Sequence, residues 1–279
     1  MTSLNNSSAA LAEFICRHPK VVVLSGAGIS AASGIPTYRS DAGQWKYSKP
    51  IQHQDFIADP HTRKRYWARS LAGWPNVSKA RPNSAHAALA RLEATTGVEL
   101  LITQNVDRLH QRAGSLKVID LHGRLDRVIC LDCRDPTERD HLQLWLHRHN
   151  TYETADNARV RPDGDSDLSE SYVEGFQVPH CLNCGGTLMP DVVFYGGTVP
   201  RARVESCIAA LNRADALLVI GSSLQVYSGY RFCRHAQANG KPIAILNKGS
   251  TRADSMATLK IPQAAEEVLP TLERFLMPT

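Results

Sequence analysis

Residues 21–30 constrain this chain more than any other stretch. Val21-Val22-Val23-Leu24 is a run of four apolar residues, three of them β-branched. A strand buried on both faces of a parallel sheet has this composition. Gly26 and Gly28 follow at once, with Ala27 between them. Glycine at these positions lets the backbone turn sharply and come close to a ligand. Residues 30–33 read as the start of a short helix, whose free N–H groups suit a pyrophosphate. Together they form the opening βα turn of a dinucleotide-binding fold. The usual Gly-x-Gly-x-x-Gly pattern lacks its third glycine, because position 31 is Ala31 and the next glycine is Gly34. On its glycines alone the turn could equally be an ordinary one.

The rest of the chain narrows the choice. A length of 279 residues, 43% hydrophobic and 21% charged, suits a soluble protein of one large domain or two smaller ones. The formal net charge of +5 is mild, and the densest basic cluster is Arg63-Lys64-Arg65. That cluster reads as a solvated helix face, so no nucleic-acid partner is expected. No apolar run approaches a membrane span, so no membrane partner is expected either. Residues 1–10 are polar and lack the apolar stretch of a secretory leader. With no leader ahead of them, the seven cysteines point to a reducing compartment, here expected to be cytoplasmic, and to metal ligation rather than disulfides. Oligomeric state is left open.

Cys130-Leu131-Asp132-Cys133 and Cys181-Leu182-Asn183-Cys184 are two Cys-x-x-Cys knuckles. Four thiolates in two such pairs are a tetrahedral zinc set. Cys130, Cys133, Cys181 and Cys184 would close the coordination shell, so this zinc should hold a lobe together rather than do chemistry. Residues 135–178 between the knuckles are polar, with His141, His147, His149 and an Asp163-Gly164-Asp165 turn. A solvent-exposed helix is the expectation for them.

Elsewhere, strand-like and helix-like patterns alternate. Residues 4–18, 59–74, 83–93 and 204–214 read as helices, and 264–275 as a closing one. Asp59 and Pro60 suit an N-cap and first helical position. Gly97 should end the helix before it. Residues 98–103, 117–121, 216–220 and 241–247 read as strands, and 189–196 as a strand-like loop. The alternation predicts an α/β fold with a doubly wound parallel sheet. Trp45, Tyr47, Phe56, Tyr66, Trp67 and Trp74 crowd residues 40–82, which should form a helical lobe lining a cleft.

Five motifs stand in one order: Gly26-Ala27-Gly28-Ile29-Ser30 with Ser33-Gly34-Ile35-Pro36-Thr37-Tyr38-Arg39; Thr103-Gln104-Asn105-Val106-Asp107; Leu121-His122-Gly123; the four cysteines; and Gly221-Ser222-Ser223 followed by Asn247. In this order they resemble the sirtuins, the NAD-consuming protein deacylases. Pro50-Ile51-Gln52-His53, Arg65-Tyr66-Trp67-Ala68-Arg69, Gly73-Trp74-Pro75 and the run from Gly221 to Phe232 look most like class II members. That class includes the vertebrate mitochondrial lipoamidase and ADP-ribosyltransferase-like sirtuin.

The resemblance implies a Rossmann-like NAD-binding domain of residues 1–40, 80–126 and 187–279. A small helical and zinc-binding lobe would comprise residues 41–79 and 127–186. It implies NAD and zinc as cofactors and an acylated lysine of a protein as substrate. The acyl group would pass from lysine to ADP-ribose as nicotinamide is released, with His122 as general base and Asn105 as its catalytic partner. Gly26, Ala27, Gly28 and Ser30 would cradle the pyrophosphate. Asn105 and Gln104 would orient ribose and water, Asp107 with Ile35 would hold the nicotinamide amide, and Pro36, Tyr38, Arg39 and His122 would also bind the cofactor. Gly221, Ser222, Ser223 and Asn247 would take the adenosine end, and Lys248 and Gly249 would also bind the cofactor. Val192, Val193 and Phe194 would meet the substrate, the valines pairing with its peptide as an added strand. Mono-ADP-ribosyl transfer or lipoamidase activity in the same site is the alternative. A hydride-transferring dehydrogenase would share the sheet but leaves the cysteine lobe and His122-Gly123 unexplained.

Two positions depart from the family pattern. Thr37 stands where an aspartate is usual, and Tyr195-Gly196-Gly197 replaces an aromatic-Gly-acid run. Tyr66 and Arg69 lie three apart on an expected helix, so they share one face. A Tyr-x-x-Arg pair resembles that of sirtuins acting on acidic acyl groups, and Arg69 would pair with the acyl carboxylate.

Overall fold

A computed structural model describes residues 2–38, 40, 44, 46, 50–150 and 170–276. Arg39, Trp45, Tyr47 and the Asp163-Gly164-Asp165 turn lie outside the described residues. The strands are β1 (Lys20–Ser25), β2 (Gly97–Thr103), β3 (Val118–Asp120), β4 (Gly123–Cys130), β5 (Pro136–Glu138), β6 (Leu188–Val192), β7 (Ala216–Ile220), β8 (Ile243–Leu246) and β9 (Leu259–Ile261). The helices are α1 (Thr2–Arg17), α2 (His53–Ala58), α3 (Pro60–Lys79), α4 (Ser84–Thr95), α5 (Leu109–Arg112), α6 (Arg139–His149), α7 (Glu170–Gly175), α8 (Arg201–Arg213) and α9 (Tyr227–Ala238).

Six strands form one parallel sheet in the order β3-β2-β1-β7-β8-β9. Val21 and Val23 of β1 face one layer, with Leu11, Leu89 and Leu218. Val22 and Leu24 face the other, with Leu211, Val219 and Phe232. Burial on both faces explains why β1 and β7 read as unbroken apolar runs rather than alternating ones. The chain fills one half of the sheet from β1 through β3, then returns to build the other half from β7. The crevice opens where that order reverses, between the C-terminal ends of β1 and β7.

The second sheet is antiparallel, in the order β5-β4-β6. Its core joins Val128 and Leu188 to Phe56, Trp67 and Leu71 of the helical segment and to Leu142 and Leu146 of α6. α3 starts as expected: the Asp59 carboxylate accepts from the backbone N–H of His61 (3.0 Å) and Thr62 (2.9 Å), with Pro60 in the first turn. Asn83 caps α4 in the same way and forms a capping box with His86.

Several expectations need correcting. The short helix expected to start at residue 30 is a 3-10 helix that begins earlier and spans Ala27–Ser33. Gly97 opens β2 rather than ending a helix. The closing helix is broken into Ala265–Val268, Leu269–Thr271 and Glu273–Leu276, because Pro270 has no N–H to continue it. The antiparallel sheet and α9 were not anticipated. Arg63-Lys64-Arg65 is not a freely solvated face: Arg63 donates to Phe56 O and Ile57 O, and Lys64 to Glu174 O. Nor is α6 wholly solvated, since Arg139, Leu142, Gln143 and Leu146 are buried while His141, His147 and His149 face outward. The Arg139 guanidinium lies 5.9 Å from the Trp67 ring and 5.3 Å from that of Trp74, and donates to Ser70 O and Oγ. Burial lowers its pKa to about 10.

Candidate active site

Two cavities meet at the sheet switch point. The first, about 320 Å³, runs over the glycine turn to the end of β8. The second, about 390 Å³, runs toward β6 and the start of α9. Gln104, Asn105 and His122 line both.

The glycine turn is shaped first by its neighbour strand. A Cβ on Gly28 would meet Gly221 Cα and O at 2.8 Å. Gly28 N–H donates to Gly221 O (2.8 Å) and Gly26 N–H to Ile220 O (3.0 Å). The two turns are pressed together, so no side chain fits between them. The first cavity therefore has a backbone floor, which is what a pyrophosphate needs. Ala27, Ser222 and Ser223 line it, as do Asn247, Lys248 and Gly249 at its far end. Asn247 is oriented by its own turn, its amide donating to Gly249 O (2.9 Å).

The end of β2 supplies the wall between the cavities. Asn105 Nδ2 donates to Gly26 O (3.1 Å) and Ser30 Oγ (3.0 Å). Gln104 Nε2 donates to Ser222 Oγ (2.8 Å). Asp107 is buried, accepting from Ser30 Oγ (2.7 Å) and the Leu109 N–H (2.9 Å). Burial raises its pKa, with these bonds opposing the rise. Ile35 lines the second cavity and Tyr38 both, whereas Pro36 lines neither.

His122 sits between the last residues of β3 and the first of β4, where the two sheets join. Gly123 takes φ +85°, and a Cβ there would meet Asp191 O at 2.1 Å. Only glycine permits that corner, and the corner aims His122 into the cleft. Its Nδ1 donates to Gln104 O (3.0 Å), and its Nε2 lies 2.7 Å from Ser228 Oγ. Loss of water around the ring lowers its pKa to about 4. The imidazole is neutral at pH 7 and able to accept a proton.

Val192, Val193 and Phe194 line the second cavity. β6 is an edge strand, but Val193 N–H already donates to His122 O (2.8 Å), so that N–H is not available to a peptide. Tyr66 and Arg69 line neither cavity among the described residues. The Tyr66 ring packs edge-on against Phe56 and Phe194 in the small core, and so stands behind the cavity wall that Phe194 forms. Among the described residues, Arg231 on α9 is the arginine that lines this cavity.

Beneath the floor, Ser25 Oγ donates to Thr103 Oγ1 (2.9 Å) and lies 2.8 Å from His110 Nε2. The His86 and His110 rings stand 4.9 Å apart, both buried. Burial lowers the pKa of His86 to about 4 and that of His110 well below its usual value. Neither this pair nor Ser228, Arg231 and Lys46 on the cavity walls was anticipated. Ser228 does lie within the run from Gly221 to Phe232 that carries the class resemblance, but only the fold turns it toward His122.

The four knuckle cysteines converge, their Sγ atoms all within 4.8 Å of one another. The Cys130–Cys184 and Cys133–Cys181 separations are 3.6 and 3.7 Å. Zinc bonds of about 2.3 Å in a tetrahedron set sulfurs about 3.8 Å apart, so the cluster fits zinc and leaves no open position.

Comparison with known proteins agrees with this geometry. Residues 26–228 match the Sir2 family. The chain is 52% identical over 272 residues to an NAD-dependent protein deacetylase of Xanthomonas campestris pv. campestris, covering 98% of this chain and 93% of that protein. It is 48% identical over 266 residues to the human mitochondrial NAD-dependent protein lipoamidase sirtuin-4, covering 94% and 85%. A solved structure of Sir2 with a p53 peptide and NAD+ superposes with a TM-score of 0.76 at 30% identity, covering 95% of this chain and 97% of that one. The family match over residues 26–228 and the identity over nearly the whole chain show that this chain belongs to the Sir2 family.

Proposed function

We propose that this protein is an NAD-dependent protein-lysine deacylase. The observation that carries the reading is that two cavities, one with a backbone floor for a dinucleotide and one apolar, share His122. Bound NAD supplies the breakable bond between ribose and nicotinamide, and the hydroxyls that take over the acyl group. Gly26, Ala27 and Gly28 hold its pyrophosphate, with Ser30 behind them bonded to Asp107 and Asn105, and Ser222, Ser223, Asn247, Lys248 and Gly249 hold its adenosine end. Asn105, Gln104, Ile35 and Asp107 orient the nicotinamide side. His122 Nε2 takes a proton from the substrate hydroxyl that accepts the acyl group. Val192 at the end of the edge strand, with Val193 and Phe194 just beyond it, receives the acyl-lysine segment of a protein substrate. Zinc at Cys130, Cys133, Cys181 and Cys184 holds the small lobe.

Within the family we assign the chain to class II, supported by the run from Gly221 to Phe232 and the likeness to the human lipoamidase. Lipoamidase activity is the second reading, favoured by a 390 Å³ cavity walled by Leu125, Val193, Phe194 and Val199. We further read the chain as two bodies with the boundaries given above, supported by separate apolar cores. A cytoplasmic location suits seven cysteines carried as thiols.

Mass spectrometry of products from NAD with acetyl-, lipoyl- and glutaryl-lysine peptides tests the function. Free lysine peptide, nicotinamide and O-acyl-ADP-ribose are expected. His122→Ala should slow deacylation by about two to four orders of magnitude. Reduction of NAD without nicotinamide release would replace the reading with a dehydrogenase.

A further inference from the structure

The two hydrogen bonds of His122 decide where its proton sits. Nδ1 faces Gln104 O at 3.0 Å. A carbonyl oxygen only accepts, so Nδ1 carries the hydrogen. In the neutral ring the lone pair is then on Nε2, and Ser228 Oγ lies 2.7 Å from it. The Ser228 hydroxyl donates to that lone pair. The atom through which a base would work is therefore covered by a hydroxyl of the chain itself.

The arrangement is tightly held. Ser228 is the second residue of α9, and no side chain caps that helix. Its hydroxyl reaches across to His122. The next residue, Gly229, lies so close to the Gln104 side chain that a Cβ would meet Oε1 at 2.4 Å. Gln104 is also the residue whose carbonyl holds Nδ1. The ends of β2 and β3 and the first turn of α9 thus lock three residues into one unit. Ser228 and His122 line the same cavity. A hydroxyl within reach of a base, with the base oriented from its far side, is the arrangement of a proton-transferring pair.

We propose that Ser228 is a further catalytic residue for acyl transfer: it holds His122 in the Nδ1–H tautomer and relays the substrate's proton to Nε2. The inference rests on the reading of His122 as the base. In the step, the substrate O–H bond breaks and its proton passes to Ser228 Oγ. Ser228's own proton passes to Nε2, so the serine hydroxyl is regenerated and His122 becomes imidazolium. The electron pair stays on the substrate oxygen, which bonds to the acyl carbon. The bond from the acyl carbon to the lysine nitrogen breaks with its electron pair going to nitrogen, the imidazolium proton goes to that departing amine and restores neutral His122, and a solvent water adds to the acyl carbon, losing a proton to solvent, to complete the ester.

The test compares wild type, Ser228→Ala and Ser228→Thr in single turnover with saturating NAD and an acetyl-lysine peptide. Nicotinamide and free lysine peptide are measured in the same reaction. Ser228→Ala should release nicotinamide at the wild-type rate and form free lysine about tenfold more slowly, the scale of one lost hydrogen bond. KM for NAD and peptide should not move, and Ser228→Thr should restore the rate. Wild-type rates should curve with deuterium fraction, as two protons move, and become linear in Ser228→Ala. In the free protein, nitrogen NMR should show His122 protonated on Nδ1, with the Nε2 signal alone shifting in Ser228→Ala. Equal loss of both products, or an alanine variant as fast as wild type, would overturn the relay. If Ser228→Ala does not fold, a linear deuterium dependence in wild type overturns it. Absence of nicotinamide release from wild type would instead count against the deacylase reading.

Discussion

The two sheets of this molecule are stabilised in different ways. The parallel sheet buries Val21, Val22, Leu217, Leu218 and Val219 completely, with apolar layers on both faces. The antiparallel sheet has three strands, two of them edges, and β5 is only Pro136–Glu138. Its core leans on helices from residues 53–79 and 139–149 and on a cluster of four thiols. A three-stranded sheet this short buries little area on its own. The difference teaches where a metal would act: burial holds the large sheet, whereas the small one buries less and carries a four-thiol cluster that fits zinc.

The sharpest way to break that contrast is Cys133→Ala. Structural zinc supplies folding free energy of about 10–16 kcal/mol in small domains, so the small lobe should unfold and zinc should fall from about one per chain toward zero. The parallel sheet should survive. Metal analysis with hydrogen exchange of β1 and β4 separates the two. Full protection of β4 in metal-free protein would show that burial alone suffices there.

Leu218→Ala probes the other side. Leu218 is fully buried in the central strand β7, and its truncation should cost about 2–5 kcal/mol of global stability. Zinc content should not change. Urea unfolding followed beside metal analysis checks both, and loss of zinc in step with unfolding of the sheet would show the regions to be one cooperative unit.

A smaller effect is expected from acid. His86 is buried neutral in the large sheet's layer, its pKa lowered from 6.5 to about 4 by burial. The unfolded chain therefore binds its proton first. Stability is full above pH 6.5 and falls as pH drops toward 4, by about 3 kcal/mol over that window. His110, shifted the same way, adds to the loss. Urea midpoints at pH 7 and pH 5 should differ, and His86→Asn should flatten the slope. An unchanged slope in the variant would assign the acid sensitivity elsewhere.

Much of this was legible in the chain. Residues that act through local pattern declared themselves: the apolar runs of β1 and β7, the Asp59–Pro60 helix start, the paired cysteines. The small lobe's sheet was not, because β4 alternates buried and half-buried residues amid polar ones and pairs with β6 across about 60 residues. Arg69 illustrates the converse. Helical spacing correctly put it three residues from Tyr66, but spacing cannot say which way a helix face points. In the fold Tyr66 backs Phe194.

By itself the sequence determined the family and the parallel sheet, and it singled out the four cysteines that converge and the histidine that the fold turns into the cleft, because each rests on residue type and order along the chain. The tertiary structure alone decided that Gly28 is required by Gly221, that Val193 N–H is spent on His122, and that Ser228 covers Nε2. Those are contacts between residues about 70 to 190 positions apart. No periodicity encodes them; they exist only once burial of the apolar layers has brought the strand ends together.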